Sequence, residues 1–211
     1  MKPQIYLDVD NCVADFSLHV TRTVKSQLDS DYAECLERSD RGGMTWEETF
    51  GMSDDAVLAM AHAEGHRWWE SIPEVADRFK NAPRCLRLHD AMKGLGKVTF
   101  LTALPKTGPE FAAHGKANWL RTRMGSKFTD FIFCMRRHKA LLAAPNRVLV
   151  DDSDENCEDF TNAGGCAVRY DATAFAHLPN EAAAIEYLSK AVRTALRSPG
   201  CPVTLINKDK R

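Results

Sequence analysis

Asp8 and Asp10 stand two residues apart where an apolar run ends, in "IYLDVDNCVADF" from Ile5 to Phe16. Carboxylates this close repel, and desolvating either is costly unless a cation or a proton compensates. A second acidic pair, Asp151 and Asp152, closes "RVLVDDS" (Arg147–Ser153), and Thr102 lies at the end of "VTFLTALP" (Val98–Pro105). Gathered at one rim, four carboxylates cannot all stay ionised unaided. Oxygen donors in that number suit a hard cation, and Mg2+ is the expected one, since it prefers a few carboxylates together with waters and a phosphate oxygen. A carboxylate beside such an ion can attack phosphorus and form an aspartyl-phosphate. The ion would screen repulsion between the anionic attacker and its anionic target. A second carboxylate two residues on can protonate the leaving oxygen and then activate water. The Thr102 hydroxyl and the backbone N–H groups around Ala103 offer a cradle for another phosphoryl oxygen, and a lysine is needed to neutralise charge in the transition state.

Each feature has a blander explanation. Asp8 and Asp10 alone could be a solvated strand-end turn, and Asp151–Asp152 a charge cluster at a helix N-terminus. What favours chemistry is recurrence: three β-prone apolar runs each stop on a polar, reactive residue type. In open parallel sheets ligands bind beyond the carboxyl ends of the strands.

The elements that must bring these ends together can be read from pattern. "FIFCM" (Phe131–Met135) and "CAVRY" (Cys166–Tyr170) add two more buried strands, and unbroken apolar runs suit a parallel sheet covered on both faces. Helices are expected over "GPEFAAHGKANWLRTRMG", stopping at Gly125, and over "SDENCEDFTNAGG", starting from Ser153 as N-cap. A third is expected over "NEAAAIEYLSKAVRTALR", with an apolar stripe through Ala184, Ile185, Leu188, Val192 and Leu196. Residues 17–84 carry helical stretches, including "LHVTRTVKSQL" and "SDDAVLAMAHAEGHRWWESI", and no convincing strand. The expected fold class is therefore α/β: a Rossmann-like three-layer core with a parallel sheet, formed by 1–16 and 85–198, with a small α-helical cap at 17–84 inserted after the first strand. Residues 199–211, with two prolines and a basic finish, are expected to form a loose tail.

Composition narrows the partners. The chain has 211 residues, a net charge of −1 and 44% apolar residues, ordinary values for a globular protein with a substantial core. No basic excess advertises extended nucleic-acid binding or an anionic membrane surface; the local basic cluster is Arg136, Arg137, His138 and Lys139. Asp8 and Asp10 interrupt the apolar run near the start, which is not the layout of a secretory leader, and no run is long enough to span a bilayer. Seven widely spaced cysteines with no CxxC pair argue against disulfides or structural zinc and for a reducing, cytoplasmic setting. Cys12 is read as a packing residue, and His62, His66 and His89 show no metal-ligand spacing.

Together the motifs resemble those of the haloacid-dehalogenase-like phosphohydrolases: DxD after a strand in "LDVDNCVADF", Thr at a strand end in "FLTALP", then a lysine, a strand and paired aspartates in "RRHKALLAAPNRVLVDDSDEN". Within that superfamily "ADF", "HGKANWLRTRMG" and "RWWESIP" resemble stretches of the 5'(3')-deoxyribonucleotidases. The resemblance implies Asp8 as nucleophile and Asp10 as general acid/base. It implies Thr102, Ala103, Lys116 and Lys139 around the phosphate, and Mg2+ held by Asp8, the backbone carbonyl of Asp10, and Asp151 or Asp152. Phe16, Trp46, Trp68 and Trp69 would line the substrate pocket, with at least one tryptophan stacking on a base. The implied partner is a small phosphomonoester, a nucleoside monophosphate first of all, and a homodimer is left open. Rival readings are a phosphatase for a sugar phosphate, another small metabolite or a nucleic-acid end, and a non-catalytic phosphoryl-binding module. Asn11 and Cys12 depart from the family, which has a small residue and then Thr or an aliphatic one there.

Overall fold

The apolar runs become six parallel strands of one sheet: β1 (Gln4–Leu7), β2 (Lys97–Ala103), β3 (Phe131–Cys134), β4 (Arg147–Asp151), β5 (Cys166–Arg169) and β6 (Val203–Thr204). They are ordered β3-β2-β1-β4-β5-β6 in a computed structural model that describes residues 2–28, 46–175, 177–198 and 203–204. The order turns back at β1, so β1 and β4 are neighbours at the crevice where open parallel sheets bind ligands. Leu7 pairs with Val150, and the Asp8 N–H donates to the Val150 carbonyl at 2.9 Å. The next residue on each strand, Asp8 and Asp151, therefore comes level at the rim.

Alternate side chains leave each strand on opposite faces, and two cores result. On one face Ile5, Leu7, Phe100, Val148, Val150 and Val168 pack against the helices; on the other Tyr6, Leu101 and Leu149 meet Phe160. Three layers follow, as expected. The helices that cover them are α6 (Cys85–Lys93), α7 (Pro109–Met124), α8 (Asp154–Asn162) and α9 (Glu181–Arg197). Ser153 caps α8 and Asn180 caps α9, each side chain accepting a backbone N–H of the first turn.

Between β1 and α6 lie α1 (Phe16–Leu28), α2 (Trp46–Phe50), α3 (Asp54–Ala63), α4 (His66–Glu70) and α5 (Val75–Arg78). The stretch read as one helical run over 53–72 is broken at Gly65, whose φ of +61° belongs to the left-handed region that glycine tolerates. The strands entering and leaving this insertion are tied together. Asp15 N–H donates to the Pro73 carbonyl at 2.8 Å, and Val75 N–H to that of Val13 at 2.9 Å.

Two expectations need correction. "FIFCM" is not a buried strand: β3 is a sheet edge with Ile132 exposed, because nothing pairs beyond it among the described residues. The segment expected to be a loose tail contributes β6, which pairs with β5 through Val168–Val203 and Arg169–Thr204; the rest of 199–211 lies outside the described residues. No helix among the described residues is long and apolar enough to cross a membrane.

Helix α7 docks on α4 through Gly115. A Cβ built there would sit 2.3 Å from the Trp69 Cβ and 2.4 Å from the His66 carbonyl oxygen. In a free helix Gly→Ala gains about 1 kcal/mol, whereas overpacking a tight contact costs about 1–3 kcal/mol or more. Gly115→Ala should therefore lower stability in urea unfolding. A gain would mean that α4 and α7 do not meet this closely.

Candidate functional site

The site begins where β1 ends. After Asp10 the chain folds back on itself: Val13 and Ala14 both donate to the Val9 carbonyl, and Asn11 N–H donates to that of Ala14 at 2.7 Å. Asn11 takes φ +55°, a conformation that Asn adopts more readily than other side-chain-bearing residues. Its carboxamide is also used at both ends: Nδ2 donates to Asp152 Oδ2 and Oδ1 accepts the Ser17 N–H, each at 2.9 Å. Reading the sequence treated Asn11 only as a departure; the signal available was a residue tolerant of positive φ directly after the acidic pair.

Two buried lysines meet the carboxylates. Lys139 follows β3 in a 3-10 turn (Arg136–Leu142), and its Nζ lies 2.7 Å from Asp151 Oδ2 and 2.9 Å from Asp8 Oδ1. The approach to Asp8 is an ion pair out of hydrogen-bond alignment, and Oδ1 of this buried carboxylate keeps no hydrogen-bond partner. Lys116, on the face of α7 turned to the sheet, donates to Asp10 Oδ2 at 2.5 Å, Thr102 Oγ1 at 2.9 Å and the Ala103 carbonyl at 2.7 Å. Thr102 is fully buried, so its hydroxyl serves Lys116, and Ala103 contributes its carbonyl to the same ammonium. The basic cluster seen in the sequence is thereby split. Arg136 pairs with Glu155 at 2.5 Å on the surface, while Lys139 points inward.

The two motif-closing aspartates are not equivalent. Asp151 is fully buried and fully engaged, with Lys139 on Oδ2 and both the Ser153 N–H (3.0 Å) and Asn156 Nδ2 (2.9 Å) on Oδ1. Asn156 is a further site residue that the sequence reading did not single out. Asp152, partly exposed, keeps oxygen capacity toward the crevice. Its carboxylate, that of Asp8 and the Cys12 thiol place their ligand atoms within 4.8 Å of one another.

Charge at the rim does not balance. Counted with all four ionised, Asp8, Asp10, Asp151 and Asp152 face Lys116 and Lys139, a formal excess of two negative charges. Burial pushes the Asp8 carboxyl well above its ordinary 3.8, with Lys139 opposing and Asp151, Asp10 and Asp152 adding to the rise. Burial, and then Asp151, raises Asp152 to about 6, against the Asn11 hydrogen bond, Lys139 and Arg169. Lys139 is held well above its ordinary value: burial works against its charge, and Asp8 and Asp151 more than offset it. The Cys12 thiol is pushed up by burial, Asp152 and Asp8.

The four aromatic candidates form one nest. The Phe16 ring lies 6.0 Å from Trp46, 5.8 Å from Trp68 and 5.7 Å from Trp69, stacked on the last. They are not equally available. Trp68 and Trp69 are 1% and 2% exposed, whereas Phe16 and Trp46 are half-buried. Trp68 turns its Nε1 to Thr23 of α1 at 2.8 Å, a packing role. Trp69 reaches the reactive end, its indole 5.1 Å from Lys116 Nζ. Of the histidines, His89 is buried against Phe100 and lies 3.3 Å from Asp90, and His66 stacks on His114 and lies 3.8 Å from Glu70.

No known family profile matches the sequence, and no curated protein matches it. Solved structures do share its fold. It is similar to a HAD family hydrolase from Deinococcus radiodurans R1 solved with bound phosphate and sodium, at 11% identity over 94% of this chain and 98% of that one, TM-score 0.50. It is similar to a hydrolase from Pseudomonas syringae at 14% identity, covering 89% of this chain and 98% of that one, TM-score 0.50. A haloacid dehalogenase-like protein of unknown function from Agrobacterium tumefaciens is similar at 12% identity over 92% of this chain and 99% of that one, TM-score 0.50. At these identities the likeness is one of fold.

Proposed function

We propose that this chain, with the fold of haloacid-dehalogenase-like hydrolases, is a divalent-cation-dependent phosphomonoesterase whose leaving group is a nucleoside. The observation that carries the reading is the excess of two negative charges at the β1–β4 crevice. One divalent cation cancels it, and the oxygen donors of Asp8, Asp152 and the Asp10 backbone carbonyl fit Mg2+. When bound, the ion neutralises charge and polarises the phosphoryl oxygens.

The chain's own groups supply the rest. An ionised Asp8 oxygen attacks phosphorus in line, and the bond from phosphorus to the leaving oxygen breaks. Asp10, carrying the proton it keeps from the previous turnover, gives it to that oxygen. Asp10, left ionised by that transfer, then takes a proton from water, whose oxygen attacks the aspartyl-phosphate and frees Asp8 and inorganic phosphate. Lys139 favours the ionised Asp8 that burial opposes. Lys116 holds Asp10 in place, with Thr102 and Ala103 orienting the ammonium. The helical insertion acts as a cap, its half-buried Phe16 and Trp46 offering faces on which a base can stack.

The test is phosphate release from deoxynucleoside and nucleoside monophosphates and from sugar phosphates, with Mg2+ and with chelator. Turnover should require the cation and favour nucleotides. A preference for sugar phosphates would reassign the leaving group, and no release from any ester would leave a phosphoryl-binding module.

A further inference from the structure

Lys116 holds the Asp10 side chain, and a second path from the same helix reaches the Asp10 backbone. Arg123 stands seven residues beyond Lys116, two turns or about 10 Å along one face of α7. Its guanidinium carbon lies 3.7 Å from the centre of the Trp119 ring, and its Nε is 3.2 Å from Glu74 Oε1. Glu74 belongs to the segment that returns from the helical insertion to the core. Its other oxygen, Oε2, accepts the Cys85 N–H at the start of α6 at 3.0 Å. Two residues earlier, the Ile72 carbonyl accepts Trp119 Nε1 at 2.7 Å and Arg123 Nη2 at 3.3 Å. The returning segment is thus pinned to both α6 and α7.

That segment pairs in turn with the fold-back after β1. Glu74 is bridged antiparallel to Ala14, and Ala14 is bridged parallel to Asp10. Val75 N–H donates to the Val13 carbonyl at 2.9 Å, Asp15 N–H to that of Pro73 at 2.8 Å, and Asn11 N–H to that of Ala14 at 2.7 Å. A ladder of backbone therefore runs from the ion pair to Asp10. The Arg123 and Glu74 side chains are 20% and 14% exposed, so losing one charge strands the other where water reaches it poorly. Arg84 Nη1, at 4.0 Å and 48% exposed, is a weak substitute partner for Glu74.

We infer that Glu74 and Arg123 are positioning residues for Asp10: their ion pair fixes the returning segment, which through Ala14 fixes the Asp10 backbone. The inference rests on the reading of Asp10 as proton donor to the leaving oxygen. Helix α7 then sets the acid twice, its carboxylate through Lys116 and its backbone through Arg123.

Arg123→Met and Glu74→Gln in the full chain test this. Glu74→Gln keeps the size and can still accept the Cys85 N–H, so its fold should survive even where that of Arg123→Met fails. Hydrogen exchange without substrate should run about threefold faster or more over residues 9–16 in both variants, while β4 and β5 keep their protection. Single-turnover release of the leaving group, with enzyme in excess and Mg2+ present, reads the first chemical step alone. A deoxynucleoside leaving its monophosphate needs the Asp10 proton, and its release should slow by about tenfold to hundredfold. p-Nitrophenyl phosphate loses a stable anion that needs no proton, and should slow by less than about threefold. Equal slowing of both esters would mean a merely structural role and overturn the inference, as would unchanged exchange over 9–16. If the parent releases no phosphate from any ester, the phosphomonoesterase reading falls, and the exchange result alone decides whether the ion pair holds the turn.

Discussion

Asp8→Asn should remove turnover while leaving the protein folded. A carboxamide cannot open the covalent route, and losing a nucleophile costs about 10^4-fold or more in enzymes where it has been removed. The fold should tolerate the change because of how the neighbours are arranged. Asn keeps the size of Asp and removes the repulsion that Asp151, Asp10 and Asp152 exert on Asp8, which together with burial raises its carboxyl. Lys139 keeps Asp151 at 2.7 Å, so no ammonium is stranded. Phosphate release and urea unfolding measured on the same preparation check both halves. Normal phosphatase activity in this variant would reject the assignment of the nucleophile.

Lys139→Met should damage both activity and stability, and the pattern of damage is informative. Methionine keeps the bulk but strips the charge from a side chain that is 2% exposed and neutralises two buried carboxylates. Removing one partner of a buried ion pair costs about 3–5 kcal/mol, because the charges left behind are uncompensated. Losing a preorganised positive group costs a further 10^2–10^3-fold or so in turnover. The sign of the pH dependence follows from Asp8. Its carboxyl already lies above 3.8 in the folded state, and without the lysine it moves higher. A folded-state rise penalises the ionised form, so stability is lost as pH climbs from the ordinary carboxylate range through the raised value. In chelator, the stability gap between variant and parent should be widest near neutrality and should close on acidification. A gap independent of pH would mean that the ammonium does not neutralise these carboxylates.

How much of this was legible beforehand depends on how local each feature is. The strand ends were legible because an apolar run that stops on a carboxylate has few other uses, and Asp8, Asp10, Thr102, Lys116, Lys139, Asp151 and Asp152 do converge. The division of labour between Asp151 and Asp152 was not. It is decided by which oxygen Lys139, Ser153 and Asn156 reach, and those contacts span the 3-10 turn, a strand end and a helix start. The two tryptophans of "RWWESIP" look alike in sequence, yet Trp68 turns to Thr23 and Trp69 to Lys116. Their difference arises from docking α4 on α7 at Gly115, a contact between segments far apart in the chain. Strand β6 was missed for a related reason: two residues between prolines and a basic end acquire strand geometry only from the edge that β5 offers.

The position of Lys116 has one more implication. The ammonium that holds Asp10, the proposed proton donor, also lies against the Trp69 indole, so the aromatic nest and the carboxylate rim share one cation. On the proposed reading, a change at Trp69 would be felt at Asp10 through Lys116, which contacts both.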